Sequence, residues 1–369
     1  MFSKEIEKAY KDAIKVLESC STPNGFYAAY PGYDMVFARD AMIMSLGASL
    51  VNTKFKKVFK DSLMVLANYQ SENGQIPNAV DIFSKRKPHI DYQSIDSTLW
   101  FIIGNYIYKQ RYNDSVLLKK QKKNIEKALN WLACQDPKEN SMLAQLPTSD
   151  WQDAFPHRYG FTIHSQVLYY KVLQLVGNLK KAEKLKNTVN KDSDTKLWNY
   201  NYYLPWRWKN HNKYHEKGEW FDTLGNVLAT IVCIADSKQS EKILNYIIKN
   251  KIDQPYPMKA SVWPPITPDS KDWQEYFSDC DARTTYHYLN SGIWTYAGGF
   301  YVCSLVQHKK FKLAEEKLQK LAEGNLVQNF CEWLDGETGK PSQGENQGWN
   351  ASLFIAAYHS VKEKKNVIF

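Results

Sequence analysis

Two short stretches set carboxylates beside aromatic rings: Ser149-Asp150-Trp151-Gln152-Asp153 near mid-chain and Glu332-Trp333-Leu334-Asp335-Gly336 near the C-terminus. Such a pair suits hydrolysis of a glycosidic bond. One carboxyl donates a proton to the leaving oxygen while a second activates water or attacks the anomeric carbon. Indole and phenol rings beside the acids suit the apolar faces of a sugar. Acidic loops are common, so the pair gains meaning only from the elements that carry it.

Apolar periodicity predicts twelve helices, near 3–20, 38–52, 54–70, 94–110, 114–134, 161–178, 179–191, 223–235, 237–250, 289–307, 309–324 and 346–363. The odd-numbered ones are amphipathic and lysine-rich; Ile125, Ala128, Leu129 and Leu132 follow the i, i+3, i+4, i+7 spacing. The even-numbered ones, such as the run through Val167-Leu168-Tyr169-Tyr170, are apolar all round and read as buried. Links from an even helix to the next odd one are short, which forces antiparallel hairpins. Before each even helix lies a long segment: 21–37, 71–93, 135–160, 192–222, 251–288 and 325–345. Six hairpins with inner and outer helices describe an all-α (α/α)6 barrel, a single catalytic domain over 1–369, with every long loop on one face. The inner helices start at that face, so their positive dipole ends point into its mouth.

Composition agrees with a soluble enzyme. Of 369 residues 43% are apolar, and twelve tryptophans and twenty-four tyrosines exceed what a core needs. The net charge of +9 comes mostly from lysines on predicted outer helices, not from the arginine-rich, aromatic-interleaved face of a nucleic-acid reader. Six scattered cysteines without a CxxC pair imply reduced thiols, with Cys233 and Cys303 in apolar runs suited to core packing. The charged N-terminus lacks a signal peptide's apolar stretch, and Thr284–His308, the longest uncharged run, suits a buried helix better than a membrane span. The expectation is a cytoplasmic protein acting on a small carbohydrate, with no cofactor, no metal, no nucleic-acid or membrane partner, and an oligomeric state left open.

Acidic and aromatic residues collect at the predicted mouth: Asp34, Arg39, Asp40, Asp96, Trp100, Trp151, Asp153, Trp220, Asp222, Asp279, Asp281, His287, Glu332, Trp333 and Asp335. Alone, Asp40 and Asp96 suit first-turn helix acids, and Trp100 and Trp294 suit the core as well as a sugar platform. Their convergence from separate hairpins favours a site.

These residues carry a resemblance. Val36-Phe37-Ala38-Arg39-Asp40, Ile95–Trp100, Asp153–Tyr170, Trp220–Asn226, Tyr288–Trp294 and Glu332–Gly339 resemble, in order and spacing, motifs of the alkaline/neutral invertase family of glycoside hydrolases. A more distant likeness links Asp150–Ala154 to the TWMDA element of glycogen-debranching α-1,6-glucosidases. The resemblance implies an (α/α)6 hydrolase cleaving sucrose or a related α-glucoside with inversion. It implies Asp153 as general acid, ahead of its neighbour Asp150, and Glu332 as the opposing carboxylate, ahead of Glu345. Trp151 and Phe155 would form an apolar wall. Arg39, Asp40, Asp96, Trp100, Asn290 and Trp294 would bind sugar, and Gln347 and Trp349, matching a family Q-x-W, would complete the pocket. The chain departs from the family at His164, Leu289, Ser291 and Thr295, all on the sugar-facing side, which loosens the expectation of strict sucrose specificity. A different class, sugar 2-epimerases, shares this barrel and uses histidine bases, for which His164 and His287 are the candidates. A terpenoid-cyclising barrel lacks its DxDD run here, and a pure scaffold has no need of six acidic-aromatic loops.

Overall fold

The computed structural model describes residues 2–82, 89–211, 214–279, 284–342 and 344–369. Among them the helices are, in chain order, α1 (Lys4–Ser19), α2 (Ala38–Ala48), α3 (Lys56–Asn68), α4 (Asp96–Tyr112), α5 (Val116–Lys120), α6 (Lys122–Ala133) and α7 (Ile163–Leu175). There follow α8 (Leu179–Lys191), α9 (Thr223–Ile231), α10 (Ser237–Lys249), α11 (Thr295–Gln307), α12 (Phe311–Val327) and α13 (Gly348–Glu363). Helices α2, α4, α7, α9, α11 and α13 are buried on nearly every side. Each packs on the next, and α13 closes the ring on α2. The amphipathic helices lie outside: α3 on α2 and α4, α6 on α4, α8 on α7, α10 on α9, α12 on α11 and α13, and α1 on α13. This is the expected (α/α)6 barrel. The alternation of all-apolar and one-faced helices follows from which helix faces two layers and which faces water.

The inner ring is tight where it closes. A Cβ on Gly47 of α2 would lie 1.9 Å from the Ser352 carbonyl oxygen of α13. The Gly47 amide donates to Ser352 Oγ at 2.8 Å instead. Gly299 of α11 meets Leu353 in the same way, with 2.6 Å to its carbonyl oxygen.

The long segments hold strands that helical periodicity does not foresee. Beyond the hairpin β1 (Ser21–Thr22)–β2 (Gly25–Phe26), three antiparallel three-stranded sheets line the loop face. They are β3 (Val36–Phe37), β4 (Ala79–Asp81) and β5 (His89–Asp91); β6 (Phe161–Thr162), β7 (Trp206–His211) and β8 (Tyr214–Lys217); and β9 (Phe221–Asp222), β10 (Lys259–Trp263) and β11 (Asn290–Ile293), with β10 central. Strands β3, β6 and β9 run directly into α2, α7 and α9. The predicted helix at 289–307 therefore starts late, because Asn290–Ile293 pairs with β10 before α11 begins. The predicted helix at 114–134 is interrupted at Gln121, whose buried amide donates to Leu63 O at 3.1 Å. Cys303 is buried as expected, but Cys233 is exposed, in the turn after α9 with φ 63°. Asp281 and Cys280 lie outside the described residues. No helix among the described residues is long and apolar enough to cross a membrane.

Candidate active site

The segment that carries Asp153 is pinned on both sides. Gln145 and Gly160 exchange backbone hydrogen bonds, both 2.9 Å, closing its base. At its centre the amide of Trp151 donates to Asp96 Oδ2 at 3.2 Å, while Ile95 N donates to Ser149 O at 2.7 Å. Farther on, the buried Arg158 guanidinium bridges Asp150 and Asp222, the latter at 3.3 Å. Asp222 also accepts from the Gly225 amide at 3.0 Å as the cap of α9. Phe155 is buried against Phe277, with ring centroids 5.6 Å apart. Asp153 lies between these anchors and is open to water.

Asp96 is the hub beneath it. The carboxylate has no exposed surface and accepts from Arg39 Nη1 at 3.2 and 3.1 Å, from Ser94 Oγ and from the Trp151 amide; His164 Nε2 lies 3.6 Å away. Burial alone would raise its pKa, but Arg39, His164 and Ser94 win and hold it below the ordinary carboxylate range. Arg39 also faces Asp40, Nε to Oδ2 3.7 Å. Arg39 and Asp40 sit in the first turn of α2, where the helix dipole favours the acid.

Glu332 arrives from the opposite side on the 328–347 loop. Leu334 pairs with Ile293 of β11, with N···O distances of 2.7 and 2.9 Å. Asn350 of α13 donates to the carbonyls of Cys331 at 2.7 Å and Glu332 at 3.3 Å. The Tyr33 hydroxyl, from the 21–37 loop, donates to Glu332 Oε1 at 3.0 Å.

The charges act on one another across the mouth. Burial pushes Glu332 up to about 7, against the Tyr33 hydrogen bond and with help from Asp40 and Asp153. Burial pushes Asp40 up to about 6, opposed by Arg39 and aided by Asp96 and Asp153. Asp153 is raised as well. Water reaches its carboxyl from the mouth, yet the surrounding protein thins the solvent enough that burial outweighs Arg39, with Asp150 and Asp96 adding. The phenols of Tyr33 and Tyr288 are raised by burial first and by Glu332 next, and both also feel Asp153.

Not every expected sugar contact has a surface to offer. Arg39, Asp40, Trp151, Gln347 and Trp349 are 3–8% exposed. Asp96, Trp100, Asn290 and Trp294 are at most 1% exposed, which corrects their reading as direct contacts. Asp96 is the hub above. Asn290 spends its amide on the backbone of Ile266, 2.8 Å each way. Trp294 donates to Tyr288 O at 2.9 Å and meets Trp151, Tyr296 and Trp349 edge-on. Phe155 is core rather than wall. Trp349 stacks on Tyr296, centroids 4.3 Å apart and 11° between planes, so this aromatic block forms the floor.

Sequence reasoning passed over Tyr33, Arg158 and Asn350. Tyr33 follows a Pro31-Gly32 turn, the one local signal that its ring is held at a loop tip. Arg158 lies in the 153–170 stretch that carries the resemblance, but its bridge from Asp150 to the distant Asp222, and the bonds of Asn350 to the 328–347 loop, cannot be read from spacing.

Six helical hairpins and a loop-lined mouth make up an (α/α)6 barrel. Residues 213–364 match the family model of alkaline and neutral invertases, as the motifs led one to expect; the match takes in Glu332 but not Asp153. Solved structures share the fold. A GH63 mannosylglycerate hydrolase from Thermus thermophilus, in complex with Tris, is 12% identical over 94% of this chain and 99% of that one, TM-score 0.68. A rhamnosidase from Klebsiella oxytoca with rhamnose bound is 13% identical over 98% of this chain and 65% of that one, TM-score 0.68. A glycosidase in complex with glucose is 11% identical over 98% and 99%, TM-score 0.69. No curated protein sequence matches the chain. The family match and the barrel together support a glycoside hydrolase acting on a carbohydrate.

Proposed function

We propose that the chain, as one catalytic domain over 1–369, hydrolyses an α-glucosidic bond in sucrose or a related α-glucoside, using Asp153 and Glu332 with inversion at the anomeric carbon. The observation that carries this is that two carboxyls on loops ahead of opposite inner helices, α7 and α13, both have raised proton affinity, and that the charge of Asp153 reaches Glu332. Asp150 is buried against Arg158 and has no path to a substrate, which supports Asp153 as the reacting acid of its segment. Glu345 is exposed at the loop edge, which supports Glu332. Arg39 and Asp40 grip sugar hydroxyls at the floor, beside Trp151, Gln347 and Trp349. Unpaired thiols at Cys20, Cys134, Cys233, Cys303 and Cys331 fit a cytoplasmic setting.

The resemblance gives Asp153 the acid role and Glu332 the base role. A specific observation favours the reverse order in the free protein: Glu332 holds its proton to about 7, while at Asp153, also raised, Arg39 opposes the rise. The leaving group separates them. On sucrose, Asp153→Asn and Glu332→Gln each lower kcat by about 10²–10⁴-fold. On α-glucosyl fluoride, whose leaving group needs no proton, only the variant lacking the acid recovers. Loss of neither variant's activity on either substrate ends the hydrolase reading. Proton NMR of the first-formed anomer tests inversion.

An epimerase reading draws no support. His164 is buried beside Asp96, and His287 lies near Asp335, 3.6 Å away, and against Trp333.

A further inference from the structure

A second groove lies apart from the carboxylate mouth: neither Asp153 nor Glu332 lines it. It has a volume of about 610 Å³ and runs between the 196–220 segment and residues 264–272. Its inner end is Trp220, which packs on His157 at 5.4 Å between ring centroids; His157 in turn meets Phe155 at 5.8 Å. Asp153 is not among the residues that line the groove.

Cations dominate the lining: Lys196, Arg207, Lys217 and Lys271, against Glu219 and Asp272. Glu219 is already matched, with Lys217 Nζ at 2.7 Å and Lys271 Nζ in contact. Arg207 is poorly matched. Its Nη1 donates to the Asp194 carbonyl at 3.4 Å and its buried Nε has no hydrogen-bond partner, while Asp192 and Asp194 act on it by charge alone. The indole N–H of Trp220 is likewise buried without a partner.

The outer rim presents an apolar ring on purpose-built backbone. Tyr200 is 69% exposed, with φ 80°, a region that costs a non-glycine residue about 1–2 kcal/mol. The turn beneath it is fixed: Asn199 Oδ1 accepts from the amides of Asn201 and Tyr202 at 3.1 and 2.9 Å, and Tyr202 Oη donates to Glu219 O at 2.7 Å. Lys196 Nζ lies 5.5 Å from the Tyr200 ring centre. A ring held rigidly in water beside cations is the pattern of a binding face.

We infer that this groove binds a monosaccharide bearing one anionic group, a phosphate or a carboxylate. The anion sits on Arg207 with Lys196 and Lys271, and the sugar ring lies along Tyr200 and Trp220. Two features select this class. The lining residues alone set four cations against two carboxylates, about +2, which the charges of Asp192 and Asp194 on Arg207 reduce further; this suits at most one phosphate and not the tail of a nucleoside triphosphate. Glu219 and Asp272 accept from sugar hydroxyls but repel further negative charge. The inference goes beyond the hydrolase reading and does not depend on which bond the mouth cleaves.

Calorimetric titration of the whole chain with glucose 6-phosphate, glucuronate, glucose and inorganic phosphate tests it. The expected result is saturable binding of at least one anionic sugar, about tenfold or more tighter than glucose or phosphate alone, and weakening with salt. Arg207→Gln and Lys271→Ala each weaken it about tenfold, while excess sucrose does not displace it. Lys271 is mostly exposed, so its variant keeps the fold if the Arg207 variant does not. The inference is overturned if neither anionic sugar saturates, if glucose binds equally well, if Lys271→Ala leaves affinity unchanged, or if sucrose competes.

Discussion

Replacing Tyr33 with phenylalanine removes one hydrogen bond from Glu332 and little else, so its effect can be worked out before it is measured. The hydroxyl donates to Oε1 at 3.0 Å and favours the ionised carboxylate. Hydrogen bonds to charged groups contribute about 1.5–3 kcal/mol. Tyr33 is 40% exposed, and solvent screening roughly halves that to about 0.7–1.5 kcal/mol. At 1.36 kcal/mol per unit, the Glu332 carboxyl rises by about 0.5–1 unit from its starting point near 7. The pH dependence of kcat/KM reads this group in the free enzyme. With Glu332 as base, wild-type activity climbs through about pH 7, and the variant's limb lies about 0.5–1 unit higher. At pH 7 the variant then runs about two- to fivefold below wild type, while the two agree near pH 9. With Glu332 as acid, the limb falls instead of rising but moves in the same direction. A uniform loss at every pH, with the limb unmoved, would refute the reasoning and leave Tyr33 as a substrate contact only.

Glu332→Gln should stabilise the protein under alkaline conditions. The folded-state pKa of about 7 lies above the ordinary 4.5, so the folded chain binds this proton more tightly and loses stability as pH rises through that window. After discounting for partial exposure, the ionised carboxylate costs about 1–3 kcal/mol at pH 8. Tm of the variant is expected to exceed wild type by a few degrees at pH 8 and to match it at pH 4.5; equal differences at both would contradict this. Gly47→Ala forces a Cβ to within 1.9 Å of the Ser352 carbonyl and should cost about 3 kcal/mol in urea unfolding as α2 and α13 spread. A cost below about 0.5 kcal/mol would mean the ring closes more loosely than described. Arg158→Leu strands Asp150 and Asp222 without a counter-charge and should cost about 3–5 kcal/mol at pH 8, less at pH 5 where Asp222, whose proton affinity burial already raises, takes up a proton. The same loss at both pH values would show that packing, not charge, is what Arg158 supplies.

The barrel was legible because its two helix populations differ in kind. A helix facing two layers must be apolar all round, as Val167-Leu168-Tyr169-Tyr170 is, and one facing water must not. The strands were hidden because they are two to six residues long and take their stability from partners far along the chain. Asn290–Ile293 has nothing local that distinguishes it from the helix it precedes. The family's glycine is Ser291 here, and the structure gives the position φ 70°, so the departure keeps a left-handed backbone and anchors it by donating Oγ to Val262 O. Among candidate contacts, sequence placed residues at the right end of the barrel but could not separate those that touch the cavity from those one layer beneath. Asp40 and Asp96 occupy equivalent first turns, yet only Asp40 retains surface.

Charge counting explains why this mouth should hold a proton at all. Asp150 and Asp222 share Arg158, so Arg158 has no charge to spare for the mouth, and Asp150 still adds to the rise at Asp153. Among the described residues, Arg39 is the guanidinium that acts on Asp40, Asp96 and Asp153, and Asp96 takes it with two hydrogen bonds. Asp40, Asp153 and Glu332 remain, with no second guanidinium to share and with solvent thinned by the mouth. Three like charges so placed do not all ionise near neutrality. At least one proton stays, and its affinity is raised on each of the three, to about 6 on Asp40 and about 7 on Glu332. On the proposed reading Asp40 grips a sugar hydroxyl at the floor, and the two rim carboxyls exchange that proton with a bound acetal. On that reading, general acid chemistry near pH 7 follows from a deficit of cations, and supplying one, for instance by Tyr33→Lys, should lower kcat/KM at pH 7 by drawing both rim acids down.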